Sequence, residues 1–336
     1  MNTSILRRFN IILFLLIAIV LLFFAFKGVD FKAIAQGLAR ANYWWVLLSV
    51  LVGASSHIIR ALRWRLLMEP LGYNPKLLNT VGALMVGYLS NIVFPRLGEI
   101  TRCGSIRRTD KVPFELLLGT VIVERAFDTL SMIILLLVVF LLPFEVFNSF
   151  IRDSILMPLY TKAGGALNLY VIVFALGALF LISLVLFLIR RDVFGVKLHQ
   201  KISGLVWGMV DGLKSVYTMR RRKLFLLYTL LIWVTYWLMT YLLVFATAPT
   251  SHLKPVDALF LLVIGSLGMA APVQGGFGAF HIITAMGLSI YGISREDGLV
   301  FATISHESQT LLVVISGLAF SAYLFLKRRY SATPTD

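Results

Sequence analysis

Glu124, Arg125 and Asp128 lie inside an otherwise apolar run, 116–142. Glu124 stands eight residues into it, about 12 Å deep at 1.5 Å per residue. A charge at the centre of a membrane helix costs about 2.5–3.5 kcal/mol, so the three side chains must face protein or water. Glu124 and Asp128 share a helix face at i,i+4, and Arg125 reaches Asp128 at i,i+3. Two readings stand: an ion pair that clamps neighbouring helices, or an acid/base or cation-pairing group lining a pathway.

Further polar groups follow the same pattern. Arg96, Glu99 and Arg102 come directly after Pro95. They form either a solvated turn or a basic mouth, in which arginine offers a bidentate fork to a phosphate. Arg60 and Arg63 join that mouth or snorkel to lipid phosphates. Gly275, Gly276 and Gly278 permit positive φ, and the N–H groups of such a turn form an anion-binding nest. Gln274 and His281 flank that turn, with Asn91 in the run before Pro95. His306 and Glu307 sit in a polar patch early in the last apolar run, where a His-Glu pair suits proton coupling. His57 reads as a packing residue. There is no His-x-x-x-His, no cysteine pair (Cys103 is the only cysteine) and no Walker loop, so neither a metal nor a cofactor is expected.

The elements that position these groups are membrane helices. Of 336 residues, 59% are apolar and 14% charged, against about 45–50% and about 25% in a soluble domain. Mean hydropathy is +0.88. These values exclude a soluble enzyme and a disordered chain. The net charge of +15 reads as positive-inside loops meeting anionic lipid; no nucleic-acid partner is expected. The apolar runs are 9–26, 43–59, 77–95, 116–142, 168–189, 224–247, 258–272 with 279–291, and 299–326. An uncleaved first span is expected, because charges separate it from the nearest small-residue site.

Segments 60–76, 96–111 and 190–223 hold four, five and nine Lys or Arg, and 27–42, 143–167, 248–257 and 292–298 hold seven together. The first group is therefore cytoplasmic. Run 77–95 lies between two cytoplasmic loops, so it enters the bilayer and returns. Runs 258–272 and 279–291 reach only about 20–22 Å, short of a core of about 30 Å, and form a second hairpin from the other side. The expected fold is an all-α polytopic membrane protein. It has six full spans and two re-entrant hairpins in an inverted-topology repeat, with cytoplasmic N- and C-termini. The whole chain, 1–336, is one domain with pseudo-repeats at about 9–142 and 168–326. Such repeats place a substrate site near the midplane, where broken helices meet.

Several pieces together resemble a known family, the lysylphosphatidylglycerol synthase transmembrane (flippase-like) domain. They are Arg63-Trp64, Asn91-x-x-x-Pro95-Arg96-x-Gly98-Glu99-x-x-Arg102, Glu124-Arg125-x-x-Asp128 and Gly275-Gly276-Phe277-Gly278. The resemblance covers about 10–325. It implies a multi-pass protein of the cytoplasmic membrane that moves a phospholipid, or a polyprenyl or hopanoid-type lipid, between leaflets. It implies no catalysis, since the family's aminoacyl-transferase domain does not follow. An anionic or zwitterionic headgroup would be the substrate, and a homo-oligomer or an envelope-enzyme partner is compatible with it. The family often has proline at Gln274, glutamate at His281 and arginine near His306; the outer hairpin would then recognise a different headgroup. The rival readings are an intramembrane lipid-modifying enzyme using Glu124 or Asp128 as base, and a non-lipid secondary transporter or helper subunit.

Overall fold

The computed structural model describes residues 30–94, 97–141, 216–217, 219–271 and 273–331. Runs 9–26 and 168–189, loop 143–167, most of 190–223, and Pro95 and Arg96 lie outside the described residues. Among those described there is no strand. The α-helices are α1 (Phe31–Arg40), α2 (Tyr43–Met68), α3 (Leu77–Val93), α4 (Gly98–Asp110), α5 (Phe114–Leu141), α6 (Arg222–Val244), α7 (Pro255–Ala270), α8 (Ala279–Ser289) and α9 (Arg295–Ser331). Three stretches, Tyr43–Leu71, Arg222–Val244 and Arg295–Leu324, are long and apolar enough to cross a membrane.

Helices α2 and α6 run antiparallel, as four contacts in register show. Asn42 N–H donates to Ala246 O at 2.8 Å, and Ser49 Oγ to Met239 O at 3.0 Å. Arg63 Nη1 donates to Thr229 Oγ1 at 3.3 Å, and Arg221 pairs with Glu69 at 3.0 Å. One end of the bundle therefore carries residues 69 and 221, and the other carries 42 and 246. Each end has its own apolar core. Trp64, Met68, Leu84, Ile106, Leu117 and Phe225 pack together at the first end. Val46, Leu243, Leu261, Leu288 and Phe301 pack together at the second. Exposed Tyr43 and Trp44 rim that second end, where ring-and-polar side chains suit a membrane interface.

Two helical hairpins point at each other from these ends. The first is α3–α4. At its base Asp110 Oδ1 accepts the Lys76 N–H at 3.1 Å, and its carboxylate also takes the Asn79 amide. Asp110 thereby stands in for a cap that Lys76 lacks. Near its tip Asn91 Oδ1 accepts the Gly98 N–H at 2.6 Å, satisfying an orphan donor of α4. A Cβ at Gly98 would run into the Gly87 carbonyl, so glycine is what lets the two arms touch. The second hairpin is α7–α8, whose base lies with residues 253 and 288 in the core of the opposite end. Its chain reverses through Gly275, Gly276 and Gly278, with φ of +57, +75 and +80°, a region in which any other residue is strained. The 274–276 turn packs against α3. Helix α9 runs along both hairpins.

Three boundaries differ from the sequence reading. The segment 96–111, taken as a loop, contains α4 (Gly98–Asp110), a helix that packs back against α3, so the first hairpin includes α4 and is not confined to 77–95. Helix α2 continues past residue 59 through Arg60 and Arg63 to Met68. In both cases helix polarity was mistaken for water exposure, whereas protein rather than lipid covers those faces. The segment 27–42 contains α1, which starts on an Asp30 side chain accepting the Lys32 N–H at 2.8 Å and buries Ile34.

Candidate functional site

Four arginines and two carboxylates meet among α2, α4 and α5. Glu124 is fully buried and lies near all four guanidiniums: Arg102 at 3.1 Å, Arg125 at 3.2 Å, Arg63 at 3.6 Å and Arg60 at 3.7 Å. Asp128 pairs with Arg63 at 2.7 Å, Arg125 at 3.3 Å and Arg60 at 3.6 Å. Among the described residues, four positive groups against two negative ones leave a formal excess of two. Arg60, Arg63 and Arg102 are buried, while the Arg125 side chain is 45% exposed. Arg60 stands eight residues before Met68 on α2, so the cluster lies about 12 Å inside the bundle from the residue-69 end.

The surroundings hold these side chains in place. The Arg102 guanidinium lies over Trp64, 4.6 Å from the ring centroid, and Trp64 Nε1 donates to Thr120 Oγ1 at 2.9 Å. Arg63 faces the Phe225 ring and Arg60 the Tyr236 ring, each at 5.7 Å. A planar, weakly hydrated guanidinium suits such aromatic faces better than an ammonium does. Arg102 donates through Nη1 to both Glu124 oxygens. Among the described residues its Nη2 and Nε are buried and have no hydrogen-bond partner, and neither do Nε of Arg60 and Arg63 or Oδ2 of Asp128. Buried charged donors without acceptors are costly. With two positive charges in excess, the group these donors suit is an anion.

A second constellation forms where α8, α9 and the glycine turn meet. His306 Nε2 lies 2.7 Å from Gly275 O and its Nδ1 lies 3.0 Å from Glu307 Oε1. The same carboxylate oxygen is 3.7 Å from His281 Nε2. Both histidines are buried, and the Glu307 side chain is 43% exposed. Phe277 and Phe280 close on the His306 ring at 4.8 and 5.3 Å.

The structure thus brings Arg60, Arg63, Arg102, Glu124, Arg125 and Asp128 into one site, and Gly275, His281, His306 and Glu307 into another. Asn91 is engaged in closing its own hairpin. Glu99 lies in the first turn of α4, and Gly276 and Gly278 shape the turn. Arg96 and the Gln274 side chain lie outside the described residues. His57 packs on the Tyr88 ring at 5.2 Å. Thr229 and Tyr236 were not picked out in the sequence, yet both face the cluster from α6. Their i,i+7 spacing on one helix face was the available signal.

Comparison with known proteins adds the following. A family model described as "Lysylphosphatidylglycerol synthase TM region" matches residues 11–317. "Glycosyltransferase AglD" of Haloferax volcanii is 28% identical over 126 residues, 37% of this chain and 20% of that protein. "UPF0104 membrane protein MJ1595" of Methanocaldococcus jannaschii is 27% identical over 123 residues, 36% of each chain. The matches therefore cover about a fifth and about a third of those relatives. No solved structure matches.

Proposed function

We propose a lipid-translocating role on one premise: this chain, a multi-pass membrane protein, belongs to the lysylphosphatidylglycerol synthase TM region family. It is a flippase-like transporter of the cytoplasmic membrane, not an enzyme, and its substrate is a lipid with an anionic or zwitterionic headgroup. Phospholipids and polyprenyl- or hopanoid-type lipids are the classes in question. The observation that carries this reading is the buried arginine cluster, with two positive charges in excess and partnerless donors on Arg102. A headgroup phosphate brings the missing acceptors. Glu124 and Asp128 hold the guanidiniums apart and oriented between binding events.

In this reading the α3–α4 hairpin enters from the cytoplasmic face and the α7–α8 hairpin from the outer face. Contact between α3 and the glycine turn supports a meeting inside the bilayer. Non-helical backbone is tolerated there because protein covers it. The six spans and the inverted repeat follow from the same topology, with both termini in the cytoplasm. Arg96, which follows Pro95 in the sequence, is a further candidate for the basic path, and the turn at 274–278 receives the headgroup on the far side.

Proteoliposomes with fluorescent phosphatidylglycerol or a fluorescent polyprenyl phosphate test it. Wild-type protein should expose inner-leaflet label to an impermeant quencher far faster than empty vesicles do. Arg102→Met should slow this by about tenfold or more, as losing charge-assisted hydrogen bonds worth about 1.5–3 kcal/mol requires. Equal rates for wild type and Arg102→Met would refute the site. The name of the Haloferax relative favours a second reading, in which the chain serves a glycosyl-transfer reaction as partner of an envelope enzyme. Co-purification of such an enzyme, without translocation in vesicles, would support it.

A further inference from the structure

The second constellation lies apart from the arginine cluster, and it gathers two imidazoles around one carboxylate oxygen. Gly275 O can only accept, so the ring nitrogen 2.7 Å from it, His306 Nε2, carries a hydrogen and donates. In a neutral ring His306 Nδ1 is then a lone-pair nitrogen. It faces Glu307 Oε1, another lone-pair atom, at 3.0 Å. Two such atoms at that distance share a positive charge between or beside them, either a proton that makes the pair an ordinary imidazolium–carboxylate hydrogen bond or a metal ion that also takes a third ligand. His281 Nε2 lies 3.7 Å from the same oxygen, and one ligating atom from each of the three residues falls within 4.8 Å of the others.

We propose that His281 Nε2, His306 Nδ1 and Glu307 Oε1 bind a divalent transition-metal ion of the zinc type. Metal–ligand lengths of about 2.0–2.1 Å in a tetrahedron place ligand atoms roughly 3.3–3.5 Å apart. Two edges of the ligand triangle, at 3.0 and 3.7 Å, bracket that spacing, and the third lies within 4.8 Å. Two imidazoles and one carboxylate select zinc and its neighbours over magnesium or calcium. The Nε2–H to Gly275 O bond is the outer hydrogen bond that metal-bound histidines normally make, fixing tautomer and ring orientation. Three protein ligands leave a fourth position for water or a phosphate oxygen. The half-exposed Glu307 gives that position an approach from outside the histidine pair. The ion would join α8 to α9 and, through His306, hold the glycine turn of the second hairpin. The residues come from two helices, so no short sequence motif announces them.

This inference stands apart from the lipid-translocating reading, because its test measures metal and not transport. Full-length protein, purified in detergent on a tag without histidines, is incubated with excess Zn2+, desalted and analysed by inductively coupled plasma mass spectrometry. Wild type should retain about one ion per chain. His281→Gln, His306→Gln and Glu307→Gln should each lower affinity by at least about tenfold. Monodisperse elution and unchanged helical circular dichroism confirm that each variant is folded. Co2+ in place of Zn2+ should give intense visible d–d bands in wild type that His306→Gln abolishes. Retention by wild type equal to that of all three folded variants, whether none or one ion, overturns the site.

Discussion

Glu124→Gln is the most informative single change, because Glu124 is the carboxylate that lies near all four guanidiniums of the cluster. The substitution raises the formal excess from two to three positive charges in a buried space. Removing one partner of a buried pair costs about 3–5 kcal/mol, since the remaining charges are left uncompensated. Asp128→Asn removes a carboxylate that is 14% exposed and meets three of the arginines. Its cost should be smaller, about 1.5–3 kcal/mol, the worth of a hydrogen bond to a charged group. The double variant Arg102→Met/Glu124→Gln restores the excess to two and removes the 3.1 Å pair as a unit. It should be more stable than Glu124→Gln alone, with a coupling of about 1 kcal/mol or more. Equilibrium unfolding in mixed micelles, followed by circular dichroism, measures wild type, the two carboxylate variants, Arg102→Met and the double variant. Refutation would be Glu124→Gln costing no more than Asp128→Asn, with the double variant additive.

Gly98→Ala should destabilise by about 1–3 kcal/mol, because its Cβ meets the Gly87 carbonyl; Gly104→Ala on the same helix meets open space and should be neutral or slightly stabilising by the same unfolding assay. Gly276→Ala, at φ +75° and against Met269, should cost more than about 1 kcal/mol and lower the yield of monodisperse protein. Asp110→Ala removes the acceptor for Lys76 N–H and the Asn79 amide; it should lose about 1–2 kcal/mol and speed amide hydrogen exchange at the start of α3.

Much of the fold was readable because lipid-facing helices must be apolar. Helices α5, α6, α7, α8 and α9 fall within a few residues of their predicted runs. The same rule fails where protein replaces lipid. Arg102 and Cys103 are buried in α4, between α3 and α5, so α4 could be polar and still lie inside. Arg60 and Arg63 ended the predicted second span although their helix runs on to Met68. For the site, i,i+3 and i,i+4 spacing predicted the grouping of Glu124, Arg125 and Asp128. Their joining to Arg60, Arg63 and Arg102 is a tertiary fact that no local spacing encodes. The same holds for His281 meeting His306 and Glu307 from a separate helix. Among the described residues, α1 was missed because ten residues are too few for a membrane run. Its signals were the Asp30 cap and the Ile34–Leu38 spacing.

The opposed hairpins are the foundation of the whole account, and cysteine accessibility tests them most directly. In a Cys103→Ser background, Arg108→Cys sits near the base of the first hairpin and His252→Cys at the loop entering the second; both native side chains are exposed. An impermeant maleimide added to sealed right-side-out and inside-out membrane vesicles should label His252→Cys only in the first and Arg108→Cys only in the second. Labelling of both positions from the same face would contradict the opposed insertion and the lipid path drawn from it.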